Sequence, residues 1–356
     1  MNEKVPTAVM PKPAAPPRPA AKAPDNSSTP IDLSVLIVTY NGRDVVLEAL
    51  SSLFQETQTT RFEVILVDNA SADGVVEGVT EQFPSVKVIA RQDNLGFAGG
   101  NNLAARHARG RRLLLLNPDT VTLRDGVGEL WRFAERTPDA GIWGGRTLFA
   151  DGSLNITSVW SRMTPWALFC RAFGLTYLAP KSNLFNPETI GGWQRDSERE
   201  VDIVTGCFLM IDTDLWNELG GFNEDFFMYG EEADLCLRAR EHGARPRMTP
   251  DATIVHHGGI SETSATDKLI KVLKGKSTLM HAHWSPMMRP VGRGLFWILA
   301  ASRAMATKLF KPTKRAGHAT GGDDAAWTEV FRRRNEWIGG WPLRNASNKS
   351  KTTVSA

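Results

Sequence analysis

Ser34-Val35-Leu36-Ile37-Val38-Thr39-Tyr40 is a continuous run rich in β-branched residues, with no polar alternation to give it a wet side. Such a run predicts a strand covered on both faces, which occurs in sheets sandwiched between helix layers. The segments that follow keep the same rhythm. A helical stretch carries Val46, Leu50, Leu53 and Phe54 at helical spacing, and Phe62 to Val67 is a second buried strand ending at Asp68. A helix starts near Asp73, Val86 to Ala90 is a third strand, and Gly99 to Arg109 is helical. Leu113 to Leu116 then forms a fourth strand, ending at Asn117-Pro118-Asp119. Strand and helix in alternation predict an α/β fold with a mostly parallel central sheet, flanked by helices that carry the crossovers. Ligands of such sheets bind beyond the carboxyl ends of the strands. Polar residues stand at four successive ends here: Tyr40-Asn41, Asp68-Asn69, Arg91 to Asn94 and Asn117 to Asp119.

The second half is less regular. Residues 150–200 read as a long loop region, Val201 to Asp212 as one strand, and Asp214 to Leu219 as a short helix. Glu231 to His242 reads as a helix closed by Gly243, and Thr253 to His256 as a short last strand. Residues 1–30, rich in Pro and Ala, are expected to be a disordered tail. Residues 31–265 are expected to form the main α/β domain, 266–315 a basic amphipathic segment, and 316–356 a polar tail with one helical patch from Asp323 to Trp337. Formal charge is only +3, which argues against a dedicated nucleic-acid partner. The three cysteines, Cys170, Cys207 and Cys236, form no CxxC pair, so a reducing cytoplasmic setting is expected and neither a zinc site nor a disulfide framework. No apolar run approaches the length of a membrane span, and no secretory signal is evident.

Five motifs carry chemistry. Asp119 at a strand end suits a divalent cation, which prefers oxygen ligands, though Asn-Pro-Asp also makes a plain turn. Asp68 can accept the imide N–H of uracil or thymine, whereas Asp73 reads as a helix N-cap. The Gly-rich loop from Arg91 to Asn102 lets backbone approach a ligand and puts a helix N-terminus behind an anion. It lacks the G-x-G-x-x-G spacing of a dinucleotide loop and follows the wrong strand. Glu231, Glu232 and Asp234 open a helix directly after aromatic and apolar residues. Helix-end electrostatics alone favours acids there, but a carboxylate against such a wall can also have its pKa raised to a base-competent value. His256 closes the last strand and can be a metal ligand.

In this order, Val38 to Asn41, Asp68 to Ser71, Asn94 to Asn102, Leu115 to Asp119, Thr205-Gly206-Cys207, Gly220 to Glu224, Tyr229 to Arg238 and Val255-His256 resemble glycosyltransferase family 2. The closest likeness is to its bacterial rhamnosyltransferase-like members, which build cell-surface polysaccharides. The resemblance covers about residues 33–262. It implies a GT-A type (Rossmann-like) fold, a nucleoside-diphosphate sugar donor, a divalent cofactor (Mg²⁺ or Mn²⁺) and inversion at the anomeric carbon. Carried over, Thr39, Tyr40, Asn41 and Asp68 hold the nucleoside, while Arg91 and Asn94 line its pocket. Asn69, Gly96, Asn101 and Asn117 belong to the same nucleotide-sugar site, and Asp119 and His256 hold the metal. Glu232 is the general base, with Glu231 and Asp234 in support. Two positions depart from the common pattern: Asn117 stands where many relatives have a first Asp, and Glu232 is one methylene longer than the usual Asp. The resemblance further implies a glycan or glycolipid acceptor, with dTDP-rhamnose or a UDP-sugar as donor.

Lys268 to Arg315 holds eleven Lys and Arg and no acid, interleaved with Leu269, Ile270, Val272, Leu273, Trp284 and Leu295 to Leu299. This composition predicts a helical basic extension lying on the cytoplasmic membrane surface, hence a peripheral protein of its inner face. A helix packed on the domain with a solvated basic face is the plainer alternative. Two other functions fit less well. A nucleotidyltransferase making sugar nucleotides would carry an Arg- and Lys-bearing Gly-rich loop where Asn41-Gly42-Arg43-Asp44 stands. A non-catalytic sugar-nucleotide-binding module would not need the acids at 231, 232 and 234.

Overall fold

The computed structural model describes residues 31–258, 264–309 and 324–342. The tail expected at 1–30 lies outside them, as do 310–323 of the basic and polar segments and 343–356 of the C-terminal tail. The first half runs β1 (Leu33–Thr39), α1 (Arg43–Glu56), β2 (Phe62–Asp68), α2 (Val75–Gln82), β3 (Lys87–Ala90), α3 (Gly96–Ala105), β4 (Arg112–Leu116), β5 (Thr120–Thr122), α4 (Gly126–Arg136) and β6 (Ile142–Leu148). Next come β7 (Val159–Trp160), α5 (Pro165–Ala172), α6 (Leu175–Leu178), β8 (Arg199–Glu200), β9 (Ile203–Val204), β10 (Phe208–Asp212), α7 (Thr213–Leu219), α8 (Glu231–Glu241) and β11 (Arg247–His256). The chain then turns helical, with α9 (Ala265–His283), α10 (Arg289–Leu309), α11 (Asp324–Arg332) and α12 (Arg334–Trp337).

The main sheet has the order β3-β2-β1-β4-β10-β6-β11-β5, with β8 added on β11. Its first four strands are parallel, so their carboxyl ends open on one edge. β10 enters antiparallel between β4 and β6, and β11 runs parallel to β6. Every residue of β1 is buried, because alternate side chains feed two different cores. Leu36 and Val38 meet α3, α7 and α8 on one face, while Val35 and Ile37 meet α1, α2 and α4 on the other. Each such aliphatic side chain contributes roughly 2 kcal/mol of burial.

The second half departs from expectation in physical detail. Val201 to Asp212 is not one strand: β9 pairs with β7 in a separate two-stranded sheet, and the chain bends at Thr205-Gly206-Cys207 before β10. The last strand is longer than its apolar signature, starting at Arg247 and crossing a register shift between Thr249 and Thr253. The loop region 150–200 holds α5 and α6 and is organised around a buried guanidinium. Arg195 donates to the carbonyls of Trp193 (2.6 Å), Ile156 (2.7 Å), Thr189 (2.9 Å) and Val159 (3.1 Å). Periodicity cannot reveal a segment held by one polar side chain.

A third core joins that segment to the C-terminal helices. Ile270, Leu273, Leu295, Phe296 and Leu299 pack with Leu168 and Ala172 of α5 and with Trp337. Five side chains that the sequence offered to lipid are therefore interior. The buried Glu188 carboxylate pairs with Lys276 of α9 and with Arg171 of α5 (3.3 Å), locking the two parts together. Burial alone would push Glu188 up, but the two cations overrule it and hold it at about 2.

Candidate active site

At the ends of β1 and β2 the strands are in register, Thr39 beside Asp68, and the Asn69 amide N–H donates to Thr39 O (2.9 Å). Asp68 is buried, and both its oxygens accept the Ser71 N–H at 3.2 Å. Asn41 sits at φ 55°, a left-handed turn that Asn tolerates. Its N–H donates to Ser71 Oγ (2.8 Å) and its Oδ1 accepts from Ala72 N–H (3.0 Å), so it clamps two strand ends together. Tyr40 beside it is 48% exposed. Asp73 is not the N-cap expected of it, because Gly74 takes that place without a side-chain cap, and Asp73 mainly holds the start of α1 instead. Its Oδ2 accepts from the N–H groups of Gly42 (2.5 Å) and Arg43 (2.7 Å) at the start of α1, while Oδ1 takes Val75 N–H (3.3 Å). An open cleft of about 390 Å³ lies here, lined by Asp68, Ser71, Gly74, Arg91 and Gln92. Arg91 is ion-paired to Asp93 (2.6 Å) across the cleft's rim.

The Gly-rich loop is fixed from beneath. Asn69 Nδ2 donates to Gly96 O (3.2 Å), Leu95 N–H donates to Asn69 Oδ1 (3.4 Å), and Asn94 Oδ1 accepts from Gly96 N–H (2.8 Å). Gly96 itself has φ +74°, and a Cβ there would stand 2.5 Å from Phe227 O, so only glycine fits. Asn101 corrects its assignment: it is buried and its amide donates to Phe97 O (3.0 Å), so it braces α3 internally.

The residues assigned to metal meet directly. Asp119 Oδ1 lies 3.2 Å from His256 Nε2, Asn117 Nδ2 is also 3.2 Å from that nitrogen, and Asp119 Oδ2 accepts from Gly258 N–H (3.1 Å). The pairing has a simple cause, since β5 and β11 are antiparallel with His256 opposite Thr120. Burial alone would lower His256 and raise Asp119. Instead His256 is raised by Cys207 and Asp119, and Asp119 is lowered by His256, so the pair holds a proton between them. Among the described residues no set of three or more His, Cys, Asp or Glu can hold an ion. Two donors spaced about as far apart as neighbouring ligands on a small cation, with bonds of about 2.1 Å, fit a metal whose remaining ligands come from a diphosphate.

The acids at the start of α8 divide into different roles. Glu231 is buried, with Oε2 lacking a hydrogen-bond partner among the described residues, and burial followed by the charge of Glu232 raises its carboxyl well above the usual range. Glu232 is half-buried, and burial raises it as well, although its Oε2 accepts from Gly230 N–H (3.2 Å). Asp234 corrects its supporting assignment: its oxygens are held by Arg238 Nε (2.7 Å) and His283 Nε2 (2.9 Å), fastening α8 to α9. Gly275 of α9 lets this happen, since a Cβ there would collide with Tyr229 O.

The separate clusters form one rim. A Cβ at Gly206 would meet Phe97 of the Gly-rich loop at 3.2 Å and Glu232 Cβ at 3.5 Å, and the next residue, Cys207, touches His256. Thr205-Gly206-Cys207 therefore stands between the acid helix and the Asp119–His256 pair. Residues 34–215 match the family described as Glycosyl transferase family 2, half of the chain. The chain belongs to that family. As a family 2 glycosyltransferase it is 27% identical over 263 residues to an O-antigen biosynthesis protein, RfbC, of Myxococcus xanthus, covering 72% of this chain but 19% of that protein. It is 28% identical over 239 residues to N-acetylglucosaminyl-diphospho-decaprenol L-rhamnosyltransferase of Mycobacterium tuberculosis, covering 63% of this chain and 76% of the relative. Its fold is similar to that of a mannosyltransferase, PcManGT of Pyrobaculum calidifontis, solved with GDP-mannose and Mn²⁺ (TM-score 0.52, 18% identity, covering 92% of this chain and 89% of the other).

Sequence reading missed three residues of this glycosyltransferase site. Cys207 entered only as one of three cysteines and as the end of the Thr205-Gly206-Cys207 motif, with no role in the site, yet it lies against His256. Asn102 accepts Phe222 N–H (2.9 Å) and donates to Phe222 O (2.9 Å), which explains why the Gly220-to-Glu224 motif exists. Phe97 packs against Phe222 and Gly206. None has a signal in local periodicity, since Asn102 and Phe97 act across more than a hundred residues and Cys207 across about half as many.

Proposed function

We propose that the chain transfers a sugar, with L-rhamnose the first candidate, from a nucleoside-diphosphate donor to a hydroxyl of a lipid-linked cell-surface glycan, inverting the anomeric carbon. The proposal rests above all on Glu232: a half-buried carboxylate, raised by burial, separated from the Asp119–His256 pair only by the Thr205–Cys207 bend. The cleft at Asp68 and Arg91 takes the base and ribose, with Asp68 accepting the imide N–H of thymine or uracil. Thr39, Tyr40 and Asn41 hold the nucleoside at the neighbouring strand end, and the α3 N-terminus at Asn94 to Gly96 faces the phosphates. Asp119 and His256 are the residues that hold the divalent cation, Mg²⁺ or Mn²⁺, which when bound offsets the charge of the departing diphosphate. Glu232 accepts the proton of the acceptor hydroxyl as that oxygen attacks; burial and then the charge of Glu232 raise Glu231 well above the usual range, a direction that favours Glu232 as the base of the pair. A single displacement needs no nucleophilic side chain.

The acceptor's lipid link is suggested by the relative named for a decaprenol-linked substrate, and it puts the enzyme at the cytoplasmic face of the membrane. Among the described residues no helix is long and apolar enough to cross one. The test is Glu232→Gln. Nucleotide binding by calorimetry should be unchanged while sugar transfer falls about a thousandfold. Transfer at a normal rate would remove Glu232 from the base role. Thermal shifts with dTDP-rhamnose, UDP-sugars and GDP-mannose, with and without Mn²⁺, identify the donor.

A further inference from the structure

Two acid-free stretches far apart in sequence build one face. Residues 161–187 contain no Asp or Glu, nor do residues 268–315. The structure packs α5 and α6 of the first against α10 of the second. Ser302 Oγ donates to Ala172 O (3.3 Å), Arg303 donates to Arg171 O (3.2 Å), and the Arg303 guanidinium lies 4.3 Å from the Tyr177 ring centre. α5 is two-faced: Leu168 and Ala172 enter the third core, while Trp166, Phe169 and Phe173 point outward. Their i, i+3, i+7 spacing makes a single stripe, with ring centres 5.4 and 4.6 Å apart. α6 buries none of its residues, leaving Tyr177 69% and Leu178 82% exposed. α10 adds Val291, Met305 and Leu309, all exposed and spaced to return to one helix face.

Monomeric proteins rarely leave so continuous an apolar surface without a purpose. Its neighbours are cationic: Arg303 lies on the Tyr177 ring, exposed Lys181 follows α6, and neither stretch supplies a carboxylate to repel a phosphate. Aromatic rings beside Arg and Lys suit the boundary between lipid headgroups and acyl chains, where each ring keeps an apolar body below a polar layer. We propose that the α5–α6–α10 face docks on an anionic lipid bilayer, with Phe169, Phe173, Tyr177 and Leu178 inserted and Arg303 and Lys181 against lipid phosphates. The contact differs from the one composition suggests: the basic helices supply charge and a scaffold, and the aromatic insertion comes from the segment between β7 and β8. Its purpose rests on the lipid-linked acceptor proposed above; its physics does not.

The test uses the full chain and vesicles of phosphatidylcholine with about one-third phosphatidylglycerol. Co-sedimentation is expected with these vesicles, weaker with pure phosphatidylcholine, and falling with added salt. Phe169→Ser with Phe173→Ser should lower partitioning about tenfold or more, and Arg303→Glu should weaken binding to the anionic vesicles alone. Because Phe169 and Phe173 are exposed, the double variant should leave the melting temperature and nucleoside-diphosphate affinity unchanged. The proposal is overturned if the unaltered chain ignores anionic vesicles, or if the double variant binds them equally well. It is also overturned if the substitutions dissolve a dimer instead, which would make the face a contact between two copies. A chain that docks through this face yet transfers no sugar would refute the enzymatic reading and leave the docking intact.

Discussion

Glu188→Gln isolates the ion pair that fastens the segment between β7 and β8 to α9. The pair places Lys276 and Arg171 on a carboxylate that is only 11% exposed. A carboxyl moved from 4.5 to about 2 is worth about 3 kcal/mol of native-state preference for the anion. Removing one partner of a buried pair costs about 3–5 kcal/mol in general, so the two routes to the magnitude agree. The sign follows from the direction: a depressed carboxyl stabilises the fold fully above its ordinary value near 4.5, and that contribution is lost as pH falls through about 2. Urea unfolding followed by tryptophan fluorescence should show Glu188→Gln less stable by about 3 kcal/mol at neutral pH. The deficit should shrink between about pH 5 and about pH 3. A deficit that stayed constant over that range would place the loss in packing, and one under about 1 kcal/mol would mean the cations gain nothing from this carboxylate.

Gly96→Ala should destabilise the protein by about 2 kcal/mol or more, because it strains a left-handed backbone and drives Phe227 away from the loop. It should also weaken nucleotide binding, and calorimetry that found affinity unchanged would detach this loop from the phosphates. Asp119→Ala should cut the Mn²⁺-dependent part of nucleoside-diphosphate affinity by about two orders of magnitude while leaving metal-free binding alone. The same affinity with and without Mn²⁺ in the unaltered chain would remove the cation from the mechanism.

The half of the fold built on apolar periodicity was open to reading before any coordinates. β1, β2 and β4 announce themselves because strands buried on both faces have no polar side to disguise them, whereas the edge strand β3 is only partly covered. Asp68, Asp119 and Glu232 could be picked out for a related reason: carboxylates at strand or helix ends stand out against apolar runs. The second half hides because its organisers are polar and solitary. Arg195 holds a whole segment by four carbonyl contacts, and Glu188 and Lys276 meet from 88 residues apart.

What the amino-acid order determined alone was the doubly covered sheet, its ligand edge and a shortlist of side chains, since these follow from hydrophobic spacing and from where polar groups interrupt it. Tertiary structure decided how that shortlist divides. It gave Asp234 to Arg238 and His283, turned Asn101 into a brace for α3, and set Cys207 beside His256. It also turned Ile270, Leu273, Leu295, Phe296 and Leu299 of α9 and α10 inward and the aromatic rings of α5 outward. A linear pattern records that a side chain is apolar or charged; which partner desolvates or neutralises it depends on elements packing from distant parts of the chain.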